Sequence, residues 1–454
     1  MCSWACLVNS LSLTGFVSQN RAVMSQVRLL PFWHGRRRGW ITVWYTMLIL
    51  VGVDSSFGAE RQIKTMNFQS DIEFLQKYTN IILLRNGLAA VAVAPAYQGR
   101  VMTSTFEEES GPSFGWINRP VISQGILSES ERKGTLQEHI HVFGGEERFW
   151  MGPEGGQYAL FFKPGVSFDF NNWKTPAAID TDSYEVVAQQ EDSVSVHHVC
   201  DFRNHSGTHF LVGIDRTVSI LQENDLEVVL GQKVPQGLEF VGYKSDNRIT
   251  NRGKEPWDPE NGLLSIWILG MYNPSPSTTI MIPLRAEKET DSLGRVNDAY
   301  FGPVPPDCLY VRNNTVFFRG DGQRRGKIGV GPKWSKGVAG SYDAVGKVLT
   351  LVLYDVKDAP AGYINSMWEL QDEPYAGDVI NAYNDGPPDQ GGVPLGPFYE
   401  LETSSPAAAL QPNETMQHVQ QTWHLKGSEE QLKALAYRLL NADLSEIEEG
   451  FVEK

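Results

Sequence analysis

Two glutamates separated by a single residue are the strongest candidates for chemistry in this chain. Glu400 and Glu402 occupy positions i and i+2 of the strand-like stretch Gly396–Leu410. Alternate residues of a regular strand point to the same face, so both carboxylates are expected on one surface. Burying acids beside aromatic residues is costly unless the acids have a partner or a task. The spacing therefore predicts a site for acid–base chemistry in this stretch.

Glu369, in the sequence Trp-Glu-Leu-Gln, is a further carboxylate that could act with Glu402. Two acids at a suitable separation can cleave or isomerise a sugar. A structural ion pair with a nearby Arg or Lys is the alternative interpretation of these glutamates. For Glu369 the ion pair is the preferred interpretation.

A glycine-rich segment, Gly144–Gly156, combines residues that suit a ligand site. Its glycines allow close approach of the backbone to a ligand, and Arg148, Trp150 and Glu154 could bind hydroxyl groups or stack on a ring. A tight corner between strands, with an internal Arg–Glu pair, is the alternative. The segment lacks the Lys-Ser/Thr ending and the strand-to-helix unit of a phosphate-binding loop, which excludes that function.

Two amides between predicted strands form a second candidate for sugar binding. Asn247 and Asn251 flank Arg248, and all three side chains could bind hydroxyl groups. Asparagine is also a common turn former, so a purely local role is the alternative.

The sequence predicts neither a metal site nor a cofactor. His139 and His141 alternate and could share a strand face, but no third ligand can be identified. Asp378, Asp385 and Asp389 could hold a hard cation such as calcium, although solvated loop acids are the preferred interpretation.

Composition narrows the class of partner. The chain has 454 residues, 11% aromatic content, 12 Trp and a formal net charge of −15. An acidic surface repels nucleic acid and anionic membranes, so a neutral sugar or glycan is the expected partner. Cys200 and Cys308 could pair in an exported protein, and two buried free thiols are the alternative.

The first 59 residues have the pattern of a secretory signal peptide. Arg36–Arg38 precede the 13-residue apolar run Ile41–Val53, and the small residues of Ser55–Ala59 follow. The run is shorter than the span of about 20 residues that crosses a membrane, so no stable membrane span is expected after cleavage. The protein is therefore expected to be periplasmic or secreted, with an uncleaved membrane anchor as the alternative. The part before Met24 is interpreted as an over-extended start.

Residues 60–454 are predicted to form a single all-β domain, a large antiparallel β-sandwich. A capping box at Ser70 predicts a short N-terminal helix, and another at Ser428 predicts a C-terminal helix. Asn86 and Gly87 predict a hairpin turn. Further predicted strands are Tyr158–Phe162, Ser193–Val196, Phe210–Ile214, Leu226–Leu230 and Val348–Tyr354. A long loop at residues 381–394 lies directly before the two glutamates.

Several motifs resemble known families. Val91–Met102 resembles the opening strands of galactose mutarotase-like proteins. Leu401–Pro406 followed by Leu410–Glu414 is similar to the aldose 1-epimerase pattern Leu-Glu-Thr-Gln…Pro, then Leu-x-Pro-Gly-Glu. The chain also resembles an uncharacterised group of exported bacterial proteins, a domain of unknown function, in segments such as Gly152–Gly156 and Gly262–Gly270. The resemblance implies a mutarotase-like β-supersandwich, with Glu402 in the place of the catalytic base.

In the aldose 1-epimerase family a carboxylate removes the proton of the anomeric hydroxyl. An acid on the opposite side of the sugar protonates the ring oxygen. The family's acid is a His in an Asn-His-x-x-Phe-Asn-type strand. The matching region by order, residues 243–251, contains no His. His209, and after it His205, are the nearest substitutes.

The resemblance thus predicts an exported carbohydrate-binding protein that isomerises a sugar ring, with Glu402 as base and His209 as acid. One alternative is a glycan-binding module without turnover, with a cleft built by Arg148, Trp150, Glu154 and the 381–394 loop. The other is a glycan-cleaving enzyme that uses Glu369 and Glu402.

Overall fold

Antiparallel strands dominate the structure, a computed structural model that describes residues 67–108, 110–286, 293–387 and 393–452. The predicted signal peptide (residues 1–59), the domain boundary at residue 60 and Asp389 lie outside these residues and remain predictions. Within the described part of the chain, no helix has both the length and the apolar character needed to cross a membrane.

The described residues form 18 strands. In chain order these are β1 (Ile82–Asn86), β2 (Ala89–Ala94), β3 (Arg100–Thr105), β4 (Arg148–Gly152), β5 (Glu185–Gln189), β6 (Ser193–Arg203), β7 (His209–Ile220), β8 (Glu239–Asn251), β9 (Ser265–Tyr272), β10 (Thr278–Pro283), β11 (Leu309–Arg312), β12 (Thr315–Arg319), β13 (Gly326–Val330), β14 (Val338–Asp343), β15 (Val348–Tyr354), β16 (Ile380–Asn384), β17 (Tyr399–Ser404) and β18 (Thr415–Lys426).

Six α-helices accompany them in the same part of the chain. They are α1 (Phe68–Leu75), α2 (Arg119–Gln124), α3 (Glu129–Arg132), α4 (Glu223–Leu230), α5 (Glu429–Leu440) and α6 (Ile447–Val452).

The strands form three antiparallel sheets. The largest has ten strands in the order β11-β12-β10-β14-β15-β18-β8-β7-β6-β5. A five-stranded sheet has the order β13-β16-β17-β9-β4, and a three-stranded sheet has the order β1-β2-β3. Neighbouring strands are mostly close in sequence, as expected for hairpin-connected sheets, and the long-range pairings bring β17 beside β9 and β18 beside β8.

The ten-stranded and five-stranded sheets pack face to face. One apolar cluster joins β7 and β8 to β9, with Ile214, Ile249 and Ile266 among its members. A second cluster joins β10 and β14 to the other half of the smaller sheet, with Ile280 and Leu401 among its members. Two sheets burying a shared core make the predicted large antiparallel β-sandwich, which is confirmed.

Helices cover the outer face of the ten-stranded sheet. Leu432 and Leu435 of α5 join one apolar cluster with Leu351 and Trp423, whose side chains project outward from β15 and β18. The predicted C-terminal helix is confirmed, and Ser428 caps it by accepting a hydrogen bond from the backbone nitrogen of Gln431.

Local predictions vary in outcome. The hairpin at Asn86 and Gly87 is confirmed by the pairing of β1 with β2. The predicted N-terminal helix forms as α1, but it begins earlier, because Asn67 rather than Ser70 is its N-cap. The predicted strands beginning at Ser193, Phe210 and Val348 lie within β6, β7 and β15.

Two of the predicted strands are wrong. Residues 226–230 lie in α4, where Asp225 supplies the capping box and Leu226 and Leu230 bury one helical face. Residues 158–162 form turns and bends instead of a strand, although Phe161 and Phe162 are buried in the core. In both segments a short apolar run does not distinguish a strand from other buried structure.

Candidate functional site

The two glutamates lie on β17, the middle strand of the five-stranded sheet. Glu400 is opposite Tyr383 of β16 and Met271 of β9, while Glu402 is opposite Asn381 and Leu269. The strand is regular, so the two carboxylates project from one face, as their spacing predicts. Both side chains are buried. Partners must therefore compensate both charges.

Glu402 is held by a cation and an indole. Its Oε2 atom accepts hydrogen bonds from Nζ of Lys327 at 2.8 Å and from Nε1 of Trp267 at 3.1 Å. The ammonium group also lies 4.9 Å from the centroid of the Trp267 ring. Among the described residues, none donates a hydrogen bond to Oε1 of Glu402. Oε2 is thus held in place, while Oε1, which is also buried, keeps its acceptor capacity.

Lys327 carries the positive charge at the centre of this cluster. Its burial lowers the pKa of the ammonium group, but the negative charges of Glu402 and Glu154 outweigh that effect and raise the pKa overall. Lys327 therefore stays charged, and it compensates the carboxylate that it contacts.

Glu400 is paired with a different cation. Nη2 of Arg148 donates a hydrogen bond to Oε1 of Glu400 at 2.8 Å, and the guanidinium lies 4.3 Å from the centroid of the Trp150 ring. Burial raises the pKa of Glu400 to about 8, Arg148 opposes the rise, and the charge of Glu402 adds to it. The carboxyls of Glu400 and Glu402, on the same face of one strand, therefore have distinct electrostatic environments.

Glu154 completes the set of carboxyls. It follows β4, where its backbone nitrogen donates a hydrogen bond to Oγ of Ser366 at 3.2 Å, and its side chain is partly exposed. Enclosure by the surrounding protein raises its pKa, Lys327 opposes the rise, and Glu402 adds to it. A carboxyl with a raised pKa keeps its proton to a higher pH and can act as a proton donor.

Aromatic rings form a wall around these carboxyls. Trp150 lies 5.2 Å from Phe161, and Phe161 is stacked at 5.9 Å on Trp173. Trp173 in turn lies 5.9 Å from Trp368, which is partly exposed. Trp150, Phe161 and Trp173 are buried, and they support Trp368, whose partly exposed ring offers a flat apolar surface beside polar groups. That combination suits a ligand with both apolar faces and hydroxyl groups.

The family of the chain follows from a sequence comparison. A family of unknown function, DUF6786, matches residues 66–451. The chain belongs to this family. The predicted likeness to a domain of unknown function is thereby confirmed. No curated protein matches the chain.

Solved structures similar to this DUF6786 protein have mutarotase-type descriptions. A candidate aldose 1-epimerase from Escherichia coli K12 is 11% identical, with a TM-score of 0.44, over 77% of this chain and 100% of that chain. A galactose mutarotase-like protein from Lactobacillus casei is 9% identical, with a TM-score of 0.42, over 76% and 100% of the two chains. At these identities the similarity concerns the fold alone.

The proposed acid partner from the sequence is not part of the cluster in this family member. His209 is the first residue of β7 in the ten-stranded sheet, where its side chain is 63% exposed and lies 3.3 Å from Asp201. His205 contacts the carbonyl oxygen of Lys163 through Nδ1. The structure does not bring either histidine together with Glu402, and it corrects this prediction.

The predicted amide ligands are also corrected. Asn247 is fully buried, where its side chain binds Arg216, Ser245 and the carbonyl oxygen of His418. Nδ2 of Asn251 donates to two backbone carbonyl oxygens. Both amides use their hydrogen-bonding capacity inside the protein, which makes them structural.

Glu369 is exposed on the loop between β15 and β16 and does not join the cluster, whereas its neighbour Trp368 does. The joint action of Glu369 and Glu402 stays a prediction. Lys327 was missed by the sequence analysis because it lies in a five-residue strand without a motif. A single lysine within an otherwise small and apolar strand is the signal that could have indicated it.

The described histidines and aspartates that were considered as metal ligands have other partners in the structure. His141 pairs with Asp180, Asp378 accepts from Tyr300, and Asp385 accepts from Tyr383. Among the described residues, no three His, Cys, Asp or Glu side chains lie close enough to hold a metal ion. Cys200 and Cys308 are free thiols.

Proposed function

We propose that this protein binds a neutral sugar at the cluster of Glu402, Lys327 and Glu154 and isomerises the sugar ring. The observation that supports this most strongly is the contrast between two carboxyls of one cluster. Glu402 is ion-paired with Lys327, while the pKa of Glu154 is raised. Carboxyls whose environments differ in this way suit the roles of base and acid.

The chemistry requires only proton transfers. Glu402 takes the proton of the anomeric hydroxyl through Oε1, the ring C–O bond breaks, and Glu154 gives its proton to the ring oxygen. The open-chain aldehyde rotates, the ring closes on the opposite face of the carbonyl, and both protons return. Lys327 and Trp267 hold Oε2 of Glu402 throughout.

The site favours a neutral sugar. The chain has a formal net charge of −15, so an anionic substrate would meet electrostatic repulsion. Trp368, the partly exposed ring of the aromatic wall, supplies a surface for the C–H face of a sugar ring. We further propose that the protein acts outside the cytoplasm, on the basis of the signal-type sequence before residue 60.

Anomer exchange tests the proposal. Exchange between the α and β forms of neutral aldoses is followed by NMR at increasing protein concentration, so that the spontaneous rate is subtracted. Glu154→Gln and Glu402→Gln should each lower the protein-dependent rate by about 10²- to 10⁴-fold, the typical range for a general acid or base. Glu369→Gln, at an exposed glutamate, is the matched control and should leave the rate unchanged.

Glu402→Gln leaves the buried Lys327 without its partner, so thermal unfolding is measured in parallel. Glu154→Gln leaves the Lys327–Glu402 ion pair in place and serves as the second test. Exchange rates that stay at the spontaneous value for every aldose would exclude an isomerase. Sugar binding without exchange would instead favour the module without turnover.

A further inference from the structure

We propose that a second sugar subsite adjoins this cluster and that the natural ligand is a neutral oligosaccharide of two or more rings. This inference rests on the proposed function. A cavity of about 730 Å³ is lined by residues 134–136, 138–139, 170–171, 325, 385–386 and 393–395. Its volume lies in the range of roughly 300–1,000 Å³ that is typical of ligand sites. None of the carboxyls assigned to proton transfer lines it.

The floor of the cavity continues from the catalytic cluster. Arg325 precedes β13 and is separated from Lys327 by one residue, so both lie toward the same face of the sheet. Asp385 directly follows β16, and one of its oxygens accepts a hydrogen bond from the hydroxyl of Tyr383 at 2.6 Å. Tyr383 pairs across the strands with both Lys327 and Glu400. Cavity and cluster are therefore neighbouring parts of one surface.

The aromatic wall is continuous in the same direction. Phe170 lines the cavity and is stacked 6.0 Å from Trp173, which joins the wall beside Glu154. His139 supports Phe170 with a ring distance of 4.4 Å. Phe170 is nevertheless 50% exposed. An aromatic ring that is fixed by its neighbours and open to a cavity is suited to stacking on a ligand ring.

The polar groups of the cavity indicate the class of ligand. Arg325, whose guanidinium lies 4.4 Å from the centroid of Phe301, offers several N–H donors. Glu138, which is partly exposed and ion-paired with Lys174, offers carboxylate acceptors. Asp385 is buried, and its two oxygens already accept hydrogen bonds from the hydroxyl of Tyr383 and the backbone nitrogen of Gly396. Donors and acceptors beside an apolar ring match a neutral sugar with its hydroxyl groups and C–H face. A monosaccharide at Glu402 would leave this cavity open, whereas a linked second ring would occupy it.

Calorimetry on matched sugars tests the subsite. The probes are glucose with maltose, cellobiose and lactose, and xylose with xylobiose. At least one disaccharide should bind ten-fold or more tightly than its own monosaccharide, which corresponds to about 1.4 kcal/mol. Phe170→Ala and Phe170→Leu should remove that gain and leave monosaccharide affinity unchanged. Tyr437→Ala, at a 66% exposed aromatic residue of α5, is the matched control and should retain the gain.

Three outcomes would overturn the subsite: disaccharides that bind no more tightly than their monosaccharides, a gain that survives both Phe170 substitutions, or no binding by any probe. Failure of the subsite can be distinguished from failure of the proposed isomerase activity. A Phe170-dependent gain without anomer exchange would support the subsite and exclude the isomerase. Anomer exchange that depends on Glu402, without tighter binding of any disaccharide, would support the isomerase and exclude the subsite.

Discussion

Glu400 and Glu402 show how two identical residues on one strand face acquire different properties. Glu402 has Lys327 and Trp267 as partners, and Glu400 has Arg148. The spacing of the two glutamates predicts their common face, and the sequence resemblance selects Glu402. The cations come from strands far along the chain, and no local pattern shows which glutamate each of them pairs with. Chemistry at this scale therefore depends on pairings that only the folded sheet creates.

The raised pKa of Glu400 predicts a pH dependence of stability. Its pKa is about 8 in the folded protein, against an ordinary value of 4.5. Between these values the folded state keeps a proton that the unfolded state releases, so the free energy of unfolding falls as pH rises. The slope is at most about 1.4 kcal/mol per pH unit for one proton. Glu400→Gln should remove this contribution and flatten the dependence between pH 5 and 8.

Urea unfolding at pH 5 and pH 8 measures this effect. Other carboxyls with raised pKa values, such as Glu154 and Asp378, contribute to both proteins, so the difference between wild type and Glu400→Gln isolates one group. Glu369→Gln provides the exposed control, and its pH dependence should match that of the wild type. If the free energy of unfolding of Glu400→Gln depends on pH as that of the wild type does, Glu400 has the same pKa in the folded and unfolded states.

At the scale of elements, the sequence predicts what local patterns specify. The capping box at Ser428 and the apolar stripe after it predict α5 because both signals act within a few residues. The apolar run Leu226–Leu230 is compatible with either a strand or a helix. It forms a helix, whose buried leucines pack against the ten-stranded sheet. Glu154 belongs to a segment that the sequence marks as ligand-binding, but its proximity to Lys327 depends on the pairing of distant strands.

The packing of α5 predicts a large cost for shortening one side chain. Leu432 is fully buried in the cluster that includes Trp423 and Leu351. Leu432→Ala should lower the free energy of unfolding by about 2–5 kcal/mol, because it removes buried apolar contacts and leaves a cavity. Tyr437→Ala, on the exposed side of the same helix, should cost far less. Equal losses in urea unfolding would mean that α5 does not dock as described.

At the scale of the whole molecule, a buried polar layer connects the three sheets. Arg216 of β7 donates hydrogen bonds to Glu147, which precedes β4, and to the carbonyl oxygen of Gly99, which precedes β3. It also contacts Asn247 of β8. These partners are separated from Arg216 by 69, 117 and 31 residues. No sequence pattern records contacts at such distances, which explains why Asn247 was misread as a sugar ligand.

This layer predicts that one arginine is needed for the assembly of all three sheets. Both side chains of the Arg216–Glu147 pair are fully buried, at 2.7 Å. Arg216→Ala would leave the Glu147 carboxylate buried without its cation, and should lower the free energy of unfolding by about 3–5 kcal/mol. Arg248→Ala is the matched control, because Arg248 pairs with Asp246 at the surface, where such pairs contribute about 0–1 kcal/mol. Losses of similar size in urea unfolding would contradict a connecting role for Arg216.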